Sequence, residues 1–319
     1  MKRLNLSLFL AMFLSLPVVK ALSTDLTEVT GFGSNPGNLQ LFQYVPADMP
    51  AGSPLVVVAH GCTQTAQGFA DTSGWIQLAN TYDFALIFPQ TSTANEPLAG
   101  CFRTWEPAHQ ERGSGEPLSV KQMIDYMVSQ YALSPAKVFM TGMSSGGHLT
   151  NVMLATYPDA IAAGAPQSSF PYKCAMQLKD LASCSNGSKN LTALQWGDLA
   201  RSGYPDYNGA RPRVQIWHGS VDPLIYPSTQ HEQLEQWASV HGIDVIADSD
   251  EKLVGHPRNF YNTDAGGNRV QTVTIQGLGH AIAVDPGSDA GQCGATGAYA
   301  EDVNICAAYW IGNFFGVTQ

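Results

Sequence analysis

The sequence predicts an open α/β fold, a mostly parallel central sheet flanked by helices. Three observations predict it. Short apolar runs of strand length recur along the chain, helical stripes alternate with them, and unusually long loops follow several of the runs. Runs that are continuously apolar, rather than alternating, suit parallel strands covered on both faces. Strands that alternate with helices suit an open α/β sheet.

The chain begins Met1-Lys2-Arg3, runs apolar from Leu4 to Val19, and continues Lys20-Ala21. A basic start, an apolar stretch and a small-x-small site describe a secretory leader, cut after Ala21. The apolar run contains Pro17 and is short of the roughly 20 residues that span a bilayer. No later segment is long and apolar enough to cross a membrane. Residues 22–319 read as one catalytic domain, with no linker and no repeat.

The expected strands are Leu55–Ala59, Phe84–Phe88, Val138–Thr141, Ile161–Ala165, Val214–Trp217 and Val270–Ile275. The expected helices are Val120–Tyr131, Gly147–Tyr157, Thr229–His241 and Asp302–Phe314, the last with Asp302 as N-cap. Gln90–Pro117, Phe170–Gly209 and Asp285–Tyr299 read as long loops. Ligands of open α/β sheets sit beyond the carboxyl ends of strands, so these loops are expected to shape a groove.

Net charge is −10 with 13% charged residues and no Lys/Arg cluster, which argues against nucleic acid as a partner. Six cysteines, an even number in an exported chain, suggest three disulfides. Short-range closure favours Cys62–Cys101, Cys174–Cys184 and Cys293–Cys306. No His/Cys/Asp/Glu grouping has metal spacing, and no phosphate or dinucleotide fingerprint occurs, so no cofactor is expected. The chain is taken as a monomer.

Four motifs carry chemistry. Gly142-Met143-Ser144-Ser145-Gly146 follows a strand and precedes a helix, the setting of a nucleophile elbow. The glycines admit a tight turn that lifts the Ser144 hydroxyl clear of the sheet, near the positive end of the helix. Ser145 is not centred between the glycines. His60-Gly61-Cys62 ends an early strand, where the Cys62 amide could join that of Ser145 as an oxyanion hole. His60 is expected to orient this loop.

Trp217 ends another strand, and the turn after it presents Asp222, a carboxylate able to orient an imidazole. Asp285 and Asp302 are its rivals. Gly277-Leu278-Gly279-His280 follows the last strand, and His280 is the histidine placed to act as general base. His148 reads as packing or surface.

Together these motifs resemble the polyhydroxybutyrate depolymerase family of esterases, α/β-hydrolases related to acetyl xylan and feruloyl esterases. The likeness covers most of the mature chain. It rests on HGCTQTA (His60–Ala66), TGMSSGG (Thr141–Gly147), FPYKCA (Phe170–Ala175), RPRVQIWHGSVD (Arg211–Asp222), QWASVHG (Gln236–Gly242), GLGHAIAVDPG (Gly277–Gly287) and DVNICAAYWIGNFFG (Asp302–Gly316). The resemblance implies a catalytic triad of Ser144, Asp222 and His280. It also implies an exported enzyme, extracellular or periplasmic, that hydrolyses short-chain hydroxyalkanoate polymer or oligomer esters.

Two departures matter. Depolymerases of solid polymer usually add a linker and a polymer-binding domain, whereas this chain stops at Gln319. Soluble oligomers, amorphous polymer and plant-wall esters therefore all stay open. The family's Trp-rich stretch reads Cys101-Phe102-Arg103-Thr104-Trp105 here, and Trp105 could bind substrate in the acyl groove or simply pack. The alternatives are an acetyl xylan or feruloyl esterase with the same triad, a peptidase of the same fold, and an inactive binding module.

Overall fold

The computed structural model describes residues 25–263 and 267–319, and the leader expected over residues 1–21 lies outside them. The strands are β1 (Thr27–Val29), β2 (Gln40–Tyr44), β3 (Leu55–Ala59), β4 (Ala85–Gln90), β5 (Val138–Met143), β6 (Ala163–Gln167), β7 (Arg213–Gly219), β8 (Ser249–Leu253), β9 (His256–Asn262), β10 (Asn268–Ile275), β11 (Ile282–Val284) and β12 (Ala300–Asp302). The helices are α1 (Ala66–Ser73), α2 (Trp75–Tyr82), α3 (Gly115–Gln130), α4 (Ser145–Thr156), α5 (Leu181–Ser185), α6 (Ala193–Arg201), α7 (Ser228–His241) and α8 (Ala307–Phe315).

Among the described residues, ten strands form one sheet in the order β1-β2-β4-β3-β5-β6-β7-β10-β9-β8. Its middle, from β4 through β10, is parallel. The remaining strands join antiparallel at both edges. The fold is that of an α/β-hydrolase. All six strands expected from apolar runs are the parallel ones. β3 is buried at every position, with Val56 and Val58 facing one core and Leu55, Val57 and Ala59 the other. That two-sided burial erases alternation and leaves the continuous apolar run. On one face lie α1, α2 and α8, through Phe69, Trp75 and Ile311. On the other lie α3, α4 and α7, through Val120, Leu149 and Leu234.

Two expectations are corrected. Asp302 does not cap a helix. It closes β12, which pairs with β11, and its Oδ1 accepts the Asn304 amide in a tight turn, so α8 starts only at Ala307, after Cys306. Phe170–Gly209 is not simply a loop, because it contains α5 and α6. The latter opens on a capping box in which the Thr192 and Gln195 side chains satisfy each other's backbone amides. All three expected disulfides are present. Among the described residues no helix is long and apolar enough to cross a membrane.

Candidate active site

Ser144 stands between β5 and α4 with φ 56° and ψ −118°, a left-handed conformation that costs a non-glycine residue about 1–3 kcal/mol. Surrounding contacts hold it there. Its amide donates to the Gln167 carbonyl at 2.9 Å, and its carbonyl accepts the His148 amide at 2.9 Å. The glycines on either side are required by space. A Cβ on Gly142 would stand 2.5 Å from the Gly146 carbonyl oxygen, and one on Gly146 would stand 2.5 Å from that of His60. Strand, elbow and helix therefore touch backbone to backbone.

Asp222 and His280 come from turns that follow neighbouring parallel strands, β7 and β10. Those turns are clipped together. Ser220 N–H donates to the Ile275 carbonyl at 2.9 Å, Val221 N–H to the Leu278 carbonyl at 3.1 Å, and Gly277 N–H to Ser220 Oγ at 2.8 Å. The clip brings His280 Nδ1 within 2.7 Å of Asp222 Oδ2, while the amides of Leu224 and Ile225 both donate to Oδ1 at 2.9 Å. Burial alone would raise the Asp222 pKa. The hydrogen bond from His280 and those two amides outweigh it and hold the carboxyl below its usual value. The rival Asp285 instead takes a hydrogen bond from Gln292, and Asp302 belongs to its own turn.

After β3 the chain turns through residues 60–64. Gly61 N–H donates to Gln64 Oε1 at 2.7 Å, and Thr63 N–H to the Ala99 carbonyl at 2.7 Å. Cys62 is tied to Cys101. Its own N–H finds no acceptor among the described residues, and Ser145, as the first residue of α4, has no intrahelical acceptor for its N–H. His60 is buried and braces the turn. Its Nδ1 lies 2.7 Å from the Gly61 carbonyl, and Nε2 takes the Thr91 amide at 3.3 Å. Burial pulls its pKa down to about 4, the Gly61 carbonyl offsetting only part of this, so the ring is neutral at ordinary pH.

Two clefts meet at Ser144. One, of about 170 Å³, is lined by Gly61, Gln64, Leu224, Ile225, His280 and Tyr299. The other, of about 200 Å³, is lined by Phe102, Trp105, His148, Phe170 and Leu181. Both include Cys62, Ser144, Leu224 and Ile225. Ser144 and His280 thus line one cleft, and no hydrogen bond joins their side chains among the described residues. Ligand-free hydrolases often hold this pair loosely. Trp105 is 9% exposed and packs with Phe170 and Trp196, so it both lines a cleft and belongs to a small core. A larger cleft of about 420 Å³ is lined by residues of α1 and α2 and shares no lining residue with these two clefts.

Residues 41–247 match the family model described as esterase PHB depolymerase. The chain belongs to that family. It is 46% identical over 305 residues to poly(3-hydroxyalkanoate) depolymerase C of Paucimonas lemoignei, covering 94% of this chain and 73% of that one. It is 35% identical to acetylxylan esterase A of Talaromyces purpureogenus, covering 93% and 81%. Among solved structures, acetyl xylan esterase from Aspergillus awamori superposes with a TM-score of 0.74 at 32% identity, over 80% of this chain and 94% of that one. Membership of this family of esterases makes the chain a carboxylic ester hydrolase, and its disulfides fit an exported one.

Several residues at the site are not legible as motifs. Leu224, Ile225 and Tyr299 wall the His280 cleft, and Tyr299 meets the His280 ring edge-on at 6.3 Å between centroids. His148 is fully buried rather than at the surface, with Nδ1 2.8 Å from Thr104 Oγ1, and its ring lines the Trp105 cleft. Its position one helical turn after Ser144 was the available signal.

Proposed function

We propose that Ser144 is the nucleophile, His280 the general base, Asp222 the orienting acid, and the amides of Cys62 and Ser145 the oxyanion hole, in a leader-bearing single catalytic domain that works as a monomer. The observation that carries this reading is the 2.7 Å bond from His280 Nδ1 to Asp222, because it leaves Nε2 as the proton acceptor in the cleft that Ser144 shares. His280 takes the Ser144 proton as the hydroxyl attacks the ester carbonyl. The two amides hold the oxyanion, each worth about 3 kcal/mol in acyl transfer. His280 then returns the proton to the leaving alcohol, and water repeats the cycle to free the acid. Water is the only co-reactant, with no metal or cofactor.

A base must reach the leaving oxygen, so the cleft lined by His280 is assigned to the alcohol and the Trp105 cleft to the acyl group. Trp105 and Phe170 make the acyl wall apolar, which suits a short aliphatic acyl chain. We read the natural substrates as short-chain hydroxyalkanoate polymer or oligomer esters, in line with the depolymerase relative. The second reading, acetylated or feruloylated xylan, is favoured by the likeness to the solved acetyl xylan esterase. No partner beyond the ester, nucleic acid included, is assigned.

The test is a substrate panel run on the wild type and on Ser144→Ala: hydroxybutyrate oligomers, amorphous polymer film, acetylated and feruloylated xylan, and p-nitrophenyl esters of rising length. Release of acetate or ferulate from xylan, with none of hydroxybutyrate from oligomers, selects the second reading. Retained turnover in the folded variant removes Ser144 from the mechanism.

A further inference from the structure

Gln64 is held by one end only. The Gly61 N–H can donate solely to an oxygen, so its 2.7 Å contact fixes which end of the Gln64 amide is Oε1. The NH2 end therefore points the other way. No acceptor among the described residues takes either of its protons, it is not among the buried unpaired polar atoms, and the side chain is half-buried. Gln64 lines the cleft of Ser144 and His280. A Cβ built on Gly61 would lie 3.0 Å from Gln64 Oε1 and 3.4 Å from Ser144 Cβ. The amide head and the proposed nucleophile thus flank a space that one carbon atom would fill.

Apart from Ser144, His280 and Thr63, the side chains that wall this cleft beside Gln64, among them Leu224, Ile225 and Tyr299, are mainly apolar. The cleft holds the leaving alcohol if His280 protonates that alcohol, so the inference rests on the hydrolase reading. We propose that the Gln64 side-chain NH2 binds a carbonyl oxygen carried by the leaving alcohol. Such a carbonyl is present when the alcohol is itself a hydroxyacyl unit and absent when it is a plain alkyl alcohol. Gln64 then selects ester bonds between hydroxyacyl units, where an oriented donor costs little to bring to bear.

The experiment compares two substrates with the same acyl group: the methyl ester of the 3-hydroxybutyrate dimer, cut at its internal bond, and isopropyl 3-hydroxybutyrate, whose leaving alcohol is secondary but has no carbonyl. Gln64→Glu keeps the acceptor for Gly61 N–H and replaces the donor. Because each rate reports a folded site, the ratio of the two kcat/KM values is insensitive to partial unfolding. The ratio should fall about tenfold in Gln64→Glu at pH 8, the size of one lost hydrogen bond. A ratio within about threefold of the wild type, whether both rates drop together or neither moves, overturns the proposal and leaves Gln64 as a brace for the loop. A wild type that cuts neither ester removes the hydroxyalkanoate-substrate reading together with the proposal, and that outcome is separable because it appears before any variant is made.

Discussion

His280 and Asp222, 58 residues apart, meet through a single 2.7 Å hydrogen bond, and the carboxylate that receives it is anchored on its other oxygen by the amides of Leu224 and Ile225. The carboxylate thereby fixes which imidazole nitrogen carries the proton. Asp222→Asn keeps the shape but offers an NH2 to Nδ1, favouring the wrong tautomer. The expected result is a fall in kcat of about 10³–10⁴ with little change in KM on a p-nitrophenyl ester. A loss below tenfold would remove Asp222 from the proposed triad.

Gly146 meets the backbone carbonyls of Ala59 and His60 rather than a side chain that could swing away. Gly146→Ala should therefore cost more than about 2 kcal/mol, seen as a drop of several degrees in the thermal midpoint. An unchanged midpoint would mean that β3 and α4 are not in backbone contact.

The Cys62–Cys101 bond closes 39 residues of chain around the 60–64 turn. Replacing both cysteines by alanine should cost on the order of 4 kcal/mol by the loop-entropy estimate. It should also lower kcat, because the Cys62 amide loses its brace. Denaturant unfolding and ester kinetics on the double variant check the two effects separately.

Trp105→Ala enlarges the cleft assigned to the acyl group. The expected outcome is a loss of kcat/KM for butyryl esters that exceeds the loss for acetyl esters by about tenfold, the size of roughly 1.4 kcal/mol of lost apolar contact. Equal losses would make Trp105 a packing residue only.

Glu232 on α7 is 4% exposed, and its Oε2 has no partner. Burial, helped by the charge of Glu235, pushes its pKa up to about 7. The folded state therefore keeps a proton that the unfolded chain gives up near the ordinary carboxylate value. Stability falls as pH rises from about 4.5 to about 7, and stays lower above that. Glu232→Gln should stabilise the protein by about 1–2 kcal/mol at pH 8 and by nothing near pH 4, read from unfolding curves at both pH values.

The parallel sheet was legible chiefly through β3, β4 and β5, which are buried on both sides and carry apolar runs, while polar residues interrupt β7 at Gln215 and β10 at Gln271, Thr272 and Thr274. The edge strands were not. Apart from the buried Leu253 and Tyr261, β8 (SDEKL) and β9 (HPRNFYN) are exposed or half-exposed, and their pairing is decided by neighbours rather than by their own composition. In α6 the Thr192…Gln195 spacing is a readable start signal, masked by the turn residues that crowd the segment before it. At the site, Ser144, Asp222 and His280 stood out because each follows a strand in a glycine-rich or turn-forming setting. Gln64 and Tyr299 did not, since only the folded turns bring them to the cleft.

Leu224 and Ile225 wall both clefts, and their amides also grip Asp222. Reshaping pocket width at these two positions would therefore disturb the proton relay in the same stroke. The Trp105–Phe170 side has no such tie to Asp222, and that is where acyl preference can drift, in evolution or in the laboratory, without retuning the chemistry.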